Sequence, residues 1–432
     1  MLLAGESYDT PWTRDAAINT WNGLGLLEPI VARNTLLSVL QRTGTGVEIT
    51  GQYWDRLLWT LGAWELYLIT DERALLELAF EATSRSLEWA ERNEFDRYRG
   101  LFRGPAVYGD GVAAYPDVYA RTTGGDSSIL TWTSNNRGLA VSVGTGLPMH
   151  ALSTNCVYVR AYEVAALMAR ALGQRPPPEW SRRRVALREA ISRQFWMPEH
   201  GHYRYLVDPL GDCDVQEGFG HAFVILFGIA SGDQARSVIQ RQHITTAGIP
   251  CLWPCFDRYR REQHYGRHSG TVWPPIQGFW AEAVARAGRS DLFARELHTL
   301  ARNADRDGQF VEIYHPDSGL PYGGLQERTG QGITLWHAVQ HQAWSATAFV
   351  RMILRVLLGM RFELGGIQLS PVVPAGVGEC ELTGLSYRGG QLDIAVRGPG
   401  GRVRALKMDG RITSGFIRPE AGTHRRLEII TG

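Results

Sequence analysis

Residues Gln309–Leu354 read QFVEIYHPDSGLPYGGLQERTGQGITLWHAVQHQAWSATAFVRMIL. One acid, Glu312, stands among Phe310, Tyr314 and His315; a polar turn follows at PDSG, and the segment ends as an apolar helix carrying Trp344. A carboxylate framed by aromatic rings is how a sugar-cleaving site is assembled. One carboxylate activates water or attacks carbon, a second protonates the leaving oxygen, and the rings hold the sugar. Glu312 is the candidate base; the competing reading is a surface acid at the end of a loop.

The chain has 432 residues, long enough for one large core and a small second unit. Lys plus Arg (45) nearly balances Asp plus Glu (44), and no basic run is interleaved with aromatics. That balance argues against nucleic acid or an anionic membrane as partner and favours a neutral substrate. Fourteen Trp and sixteen Tyr exceed what a core alone requires, and such rings stack on sugar faces. Core packing accounts for most of them. Five scattered Cys give no zinc spacing and read as reduced thiols. No segment reaches the about 18 apolar residues of a membrane span, and the start carries no signal pattern, so a cytoplasmic location is expected.

Residues 8–23, YDTPWTRDAAINTWNG, run from a loop into a helix. Trp12, Arg14 and Asp15 lie at its mouth, and an Arg/Asp pair there can hold two neighbouring sugar hydroxyls through charge-assisted hydrogen bonds. Trp54 and Asp55 repeat the pairing of ring and acid in QYWDRLLW. Between Glu94 and Ser153 the helical period vanishes, as expected of an insertion that lines a site. It holds Tyr108, Asp110, Asp117 and Trp132. Asp110, in GDG, is the candidate general acid, on the reasoning that the flanking glycines let the backbone bend; Asp-Gly is also a turn signal, and Asp117 is the reserve.

Helical patterns then recur in pairs, about eleven helices in all, the last expected over Ile333–Leu358. The count predicts a mainly α (α/α)6 toroid over residues 1–358. Two further loops face its mouth: CDVQEGFG with Glu217, which also reads as a helix cap, and QHYGRHSGTVWPPIQGFW with His264, Arg267, His268 and Trp273. His264 and His268 stand four apart, but intervening glycines and the lack of a partnered Glu argue against metal. No metal or cofactor is expected. From residue 359 to 432, short alternating runs separated by Gly-Gly, Pro-Gly and Asp-Gly predict a small antiparallel β-sandwich that packs against the toroid.

The segments DTPWTRDAAINTW, QYWDRLLW, YGRHSGTVWPPIQGFW and VEIYHPDSGLPYGG, followed by QAWSATAFVRMIL, resemble six-hairpin glycosidases. They are most similar to glycoside hydrolase family 63 and to glycogen-debranching and α-L-rhamnosidase-like catalytic domains. The resemblance implies an inverting, exo-acting glycoside hydrolase acting on an oligosaccharide or glycoconjugate. It also implies that Glu312, with Tyr314 and Gly319, matches the base segment, and that Trp12, Arg14 and Asp15 match the sugar contacts. The family's acid sits in a Gly-Met-Asp-Asn-Ser-Pro-like run, which this chain lacks; GDGVAAYPD occupies the corresponding region. Tyr108, Asp117, Trp132, Glu217, His268, Trp273, Tyr314 and Trp344 join Trp54 and Asp55 as expected substrate contacts.

An inverting reaction needs carboxyls about 6.5–9.5 Å apart, with Asp110 raised in pKa by apolar walls or by Asp117. Alternatives are a phosphorylase using His264, Arg267, His268 and Ser269 as anion ligands, an epimerase on the same architecture, and a sugar-binding protein without catalysis. Oligomeric state is not readable from the sequence.

Overall fold

The computed structural model describes residues 1–44, 46–260 and 263–432. Eleven α-helices of seven residues or more lie among them. They are α1 (Thr13–Asn19), α2 (Pro29–Ser38), α3 (Arg56–Thr70), α4 (Arg73–Asn93), α5 (Leu152–Ala171) and α6 (Pro178–Gln194), then α7 (Gly218–Leu226), α8 (Gly232–Arg241), α9 (Pro274–Arg286), α10 (Ser290–Asp307) and α11 (Ala343–Arg351). The odd-numbered helices follow one another around the body. Each of α1, α3, α5, α7 and α9 packs on the next, and α11 returns to α1. The even-numbered helices lie against them from outside.

Sequence explains the division. In α3 every residue from Leu57 to Ile69 is buried, and in α9 every residue from Pro274 to Ala285, as expected of helices enclosed on all sides. By contrast α10 buries Phe293, Glu296, Leu297, Thr299, Leu300 and Asn303, one stripe at helical spacing. Close approach of the inner helices depends on two glycines. A Cβ on Gly62 would lie 2.8 Å from the Ala17 carbonyl oxygen and 3.0 Å from its Cα, and one on Gly278 would lie 3.1 Å from the Ala348 Cα.

From Glu94 to Ala151 the helical segments are short turns, Val112–Ala114, Asp117–Ala120 and Thr131–Asn135, as the lost periodicity predicts. The expectation of a helix over Ile333–Leu358 needs correction. Its first part is a hairpin, Leu325–Arg328 against Gly332–Leu335, turned by Gly330 and Gly332 at φ of 74° and 72°. The helix begins only at Ala343 and widens into a π-helix over Met352–Leu357.

The C-terminal region is β-rich, as expected, but not wholly antiparallel. Met360–Glu363, Gly366–Leu369 and Phe416–Ile417 form one sheet. The other runs Cys380–Tyr387, Gly390–Arg397, His424–Thr431, Val403–Met408, Arg411–Ile412, and in it Gly390–Arg397 pairs with His424–Thr431 in parallel. The chain crosses over through Val403–Met408 before adding its last strand, a topology that local alternation does not encode. Arg388 fastens this region to the helices by donating to the Leu68 carbonyl at 2.8 Å and the Ile69 carbonyl at 3.2 Å, open acceptors at the end of α3. Among the described residues no helix is long and apolar enough to cross a membrane.

Gly62→Ala is expected to force α1 and α3 apart, lowering stability by about 1–3 kcal/mol, as overpacking does. Denaturant unfolding measures it, and an unchanged midpoint would remove the close-contact argument.

Candidate active site

α1 opens on a loop and immediately buries two charges, Arg14 and Asp15, 5% and 6% exposed. Such burial is tolerated only with partners. The Arg14 guanidinium donates to Gln52 Oε1 (3.3 Å), Asp55 Oδ2 (3.4 Å), the Val107 carbonyl (3.2 Å) and Asp110 Oδ2 (3.3 Å). It thereby ties α1 to the start of α3 and to the Asp110 loop.

The glycines around Asp110 serve packing rather than bending. Neither has positive φ, and a Cβ would meet the Tyr115 hydroxyl at Gly109 or the Gln326 side chain at Gly111. Tyr115 in turn donates to the Gly109 carbonyl at 2.6 Å.

Across the cavity, Glu312 is 2% exposed and accepts two bonds from Arg267, at 2.9 and 2.8 Å, and a third from the Val339 amide at 3.1 Å. Both bonds come from Arg267 Nη2, which sits astride the two carboxylate oxygens. Arg267 is positioned by its donation to the Gly323 carbonyl at 3.0 Å. The Arg267 carbonyl accepts from Trp273 Nε1 at 2.8 Å. Trp273 stands edge-on to Trp344 at 5.4 Å and stacks on His268 at 4.7 Å, with Tyr108 behind the imidazole at 5.8 Å.

These groups surround a cavity of about 310 Å³. Of the residues expected from sequence, Trp12, Arg14, Asp15, Asp110, His268, Trp273, Glu312 and Trp344 line it. Seven do not. Asp55 lies behind Arg14, and Tyr108 lies under His268. Trp54 is buried edge-on against Tyr53, and Trp132 packs on Tyr119. Glu217 is fully buried and accepts from the Ser153 amide at 3.0 Å, and Tyr314 is buried near the Val311 amide. Asp117 is bound to Arg258 at 3.0 Å and to Arg121 at 2.6 Å. These seven carry the right chemistry but face the core or other partners, which side-chain type alone does not reveal.

Tyr8, Gln52, Ser127, Ser128, Gln326, Trp336 and Gln342 line the cavity without having been singled out; Arg267, weighed above only as an anion ligand, does too. Gln52 opens the quoted QYWDRLLW run, two residues before Trp54, so that motif pointed to the right turn and the wrong side chains. Trp336 falls within the span expected to be helix, Ile333–Leu358, whereas Gln326 precedes it and carries no motif signal.

Charge in the cavity is unevenly distributed. Burial pushes Asp110 up, but Arg14, His268 and Arg267 outweigh it and hold the carboxyl below its ordinary value, correcting the expectation of a raised pKa. Asp15 behaves oppositely: burial, reinforced by Glu312 and Asp110, overcomes Arg14 and brings it to about 7. Asp55 also rises to about 7 through burial. His268, stripped of water and facing two guanidiniums, falls to about 3 despite Asp110, and is neutral at physiological pH. Burial raises the Tyr8 phenol, and Glu312, Asp15 and Asp110 push it further, so three carboxylates act on one hydroxyl. Among the described residues no cluster of three His, Cys, Asp or Glu side chains suits a metal ion. His264 lies beside Tyr322 and not in the cavity with His268.

The fold has close counterparts among solved structures. The GH63 mannosylglycerate hydrolase from Thermus thermophilus, in complex with glucose, superposes with a TM-score of 0.62 at 16% identity, over 82% of this chain and 95% of that one. The same enzyme with Tris and D-glycerate gives 0.61 at 16%, over 82% and 96%. A GH78 family rhamnosidase of Bacillus sp. GL1 gives 0.57 at 16%, over 98% of this chain and 40% of that one. At these identities the likeness speaks to fold alone. No curated protein matches by sequence. The family model of the mannosylglycerate hydrolase MGH1-like glycoside hydrolase domain matches residues 27–345, and the chain therefore belongs to that glycoside hydrolase family.

Proposed function

We propose that this glycoside hydrolase removes a terminal, α-linked, neutral sugar from a small glycoside with inversion, Glu312 acting as base and Asp110 as acid. The observation that carries the reading is the shared cavity: Glu312 and Asp110 both line it, each gripped by a different arginine. In direct displacement the base takes a proton from water as the acid protonates the departing oxygen on the opposite face. Space of about 310 Å³, walled by Trp12, Trp273, Trp336 and Trp344, suits one sugar ring with part of its aglycone, which supports exo action.

In the open site Arg14 favours ionised Asp110. About a third of that side chain, 36%, is exposed, so a bound sugar that covers it removes water and moves the pKa upward, as proton donation requires. Asp15 is the second candidate for the acid, because it lines the same cavity and keeps its proton to about pH 7.

Water as nucleophile is supported over phosphate. Of the four residues that would serve a phosphorylase, His264 and Ser269 lie outside the cavity, and Arg267 is committed to Glu312. Two arginines, Arg14 and Arg267, line the cavity against three carboxyl groups, Asp15, Asp110 and Glu312, which favours an uncharged aglycone. The closed sequence of inner helices supports an (α/α)6 toroid over residues 1–358. The approach of Phe362 to Tyr387 at 5.8 Å, from one C-terminal sheet to the other, supports a sandwich over 359–432.

Asp110→Asn and Glu312→Gln are each expected to lower kcat by about 10²–10⁴-fold. Azide should restore turnover to Glu312→Ala by taking the place of water. Proton NMR should show the product anomer inverted, and retention would overturn the assignment of Glu312 as base. If instead Asp15→Asn abolishes turnover while Asp110→Asn does not, Asp15 is the acid.

Across a panel of glycosides, neutral α-linked disaccharides should exceed mannosylglycerate in kcat/KM. The reverse order would show that an acidic aglycone is recognised.

Asp15 also makes a linkage prediction. Its folded value of about 7 stands above the ordinary 3.8, so the folded state binds this proton more tightly than the unfolded chain. Its stabilising contribution is complete below pH 3.8 and is lost as pH rises through 7. Asp15→Asn should flatten the decline of Tm over that interval, and an unchanged slope would contradict the raised value.

A further inference from the structure

A second cavity of about 460 Å³ shares no lining residue with the first. It lies along the same two inner helices. Trp21, on the π-helical continuation of α1, is seven residues beyond Arg14, or about 10 Å at 1.5 Å per residue. Arg351 closes α11, seven residues beyond Trp344, and Arg355 follows on its π-helical extension.

Five arginines and three glutamates line the cavity. Glu282 is shared by two guanidiniums, those of Arg351 at 2.5 Å and Arg286. Arg355 pairs with Glu65, and Arg361 with Glu363 at 3.0 Å. Arg160 turns to Glu163, at 2.6 Å, which does not line the cavity. The lining therefore has two positive charges in excess. Arg351 is 2% exposed, and its Nε has no hydrogen-bond partner, an unspent donor in a buried fork. Burial above all, with Arg355 and Arg286 nearby, brings its guanidinium down to about 10 in spite of Glu282. Trp21 and Phe227 stack at 6.2 Å and supply an apolar wall.

We propose that this cavity binds a phosphomonoester of a sugar or small polyol, the phosphoryl group seated among Arg286, Arg351 and Arg361 and the carbon skeleton against Trp21 and Phe227. A phosphomonoester carries about −1.5 to −2 charges at neutral pH and several acceptor oxygens, which matches the excess charge and the arginine forks. The volume exceeds that of the catalytic cavity, leaving room for a body beyond the phosphoryl group. The assignment does not rest on which sugar the catalytic cavity takes.

The test is titration calorimetry of the full chain with glucose 6-phosphate, with glucose and inorganic phosphate as comparison ligands. The variant is R286Q/R361Q, whose arginine side chains are 49% and 57% exposed and so dispensable for folding; circular dichroism checks this, and the single R361Q variant stands in if the pair unfolds. Glucose 6-phosphate should bind one-to-one with a Kd at or below about 1 mM, weaken at least about tenfold in the variant, and be displaced by inorganic phosphate. Affinity should be unchanged in Glu312→Gln, which alters only the catalytic cavity. Equal binding of glucose, undiminished affinity in the arginine variant, loss of binding in Glu312→Gln, or no heat at millimolar ligand would each overturn the proposal.

Discussion

The Arg14 guanidinium is the constraint on which the catalytic end depends. It is nearly sealed from water, and a lone buried cation of that kind would be intolerable, so the chain surrounds it with Asp55, Asp110, Gln52 and the Val107 carbonyl. Those acceptors come from the turn before α3 and from the long loop after α4. One charge therefore gathers three parts of the chain, and it also lowers Asp110 while burial raises Asp15 and Asp55. The same guanidinium lowers all three acids, and their opposite protonation preferences arise because burial outweighs it at Asp15 and Asp55 but not at Asp110.

Arg267 plays the matching part on the other wall. Its two bonds to Glu312 orient a carboxylate that has almost no contact with solvent. Arg267 Nη2 makes both bonds while Nη1 reaches the Gly323 carbonyl, so the guanidinium is anchored to backbone. Rings then complete the wall: Trp273 is hydrogen-bonded to the Arg267 carbonyl, and Trp344 stands against it. With its amide turned to satisfy both neighbours, Gln342 accepts from Trp344 Nε1 at 2.8 Å and donates to the Ala4 carbonyl. The site is held by polar contacts made mostly between distant segments, which is why it is rigid without being continuous in sequence.

The helices beneath are joined by a polar ladder as well as by packing. Thr347 donates to Asn19 Oδ1 at 2.6 Å, Asn22 donates to Thr347 at 3.3 Å, and Arg351 donates to Asn22 Oδ1 at 3.2 Å. All lie where α1 and α11 pass into π-helix, a widening that commonly accompanies function. The ladder connects the helices bearing Arg14 and Trp344 to the arginine-lined cavity below them.

Local pattern was enough for the helices: the 3.6-residue period predicts about eleven, and eleven of seven residues or more lie among the described residues, because burial is written into neighbouring residues. It was also enough to place Trp12, Arg14, Asp15, Asp110, His268, Trp273, Glu312 and Trp344 among the candidates. It misled where periodicity was weak, placing the second strand of the hairpin and the loop after it in a helix from Ile333 and so hiding Trp336. Tertiary structure alone decided which acids meet. Asp110 binds an arginine 96 positions away, and Glu312 one 45 positions away, whereas Asp117, the reserve in sequence, is taken by Arg258. Residue type and spacing determine what a side chain is able to do; the charges folded around it determine its protonation and its partner, and those arrive from anywhere in the chain.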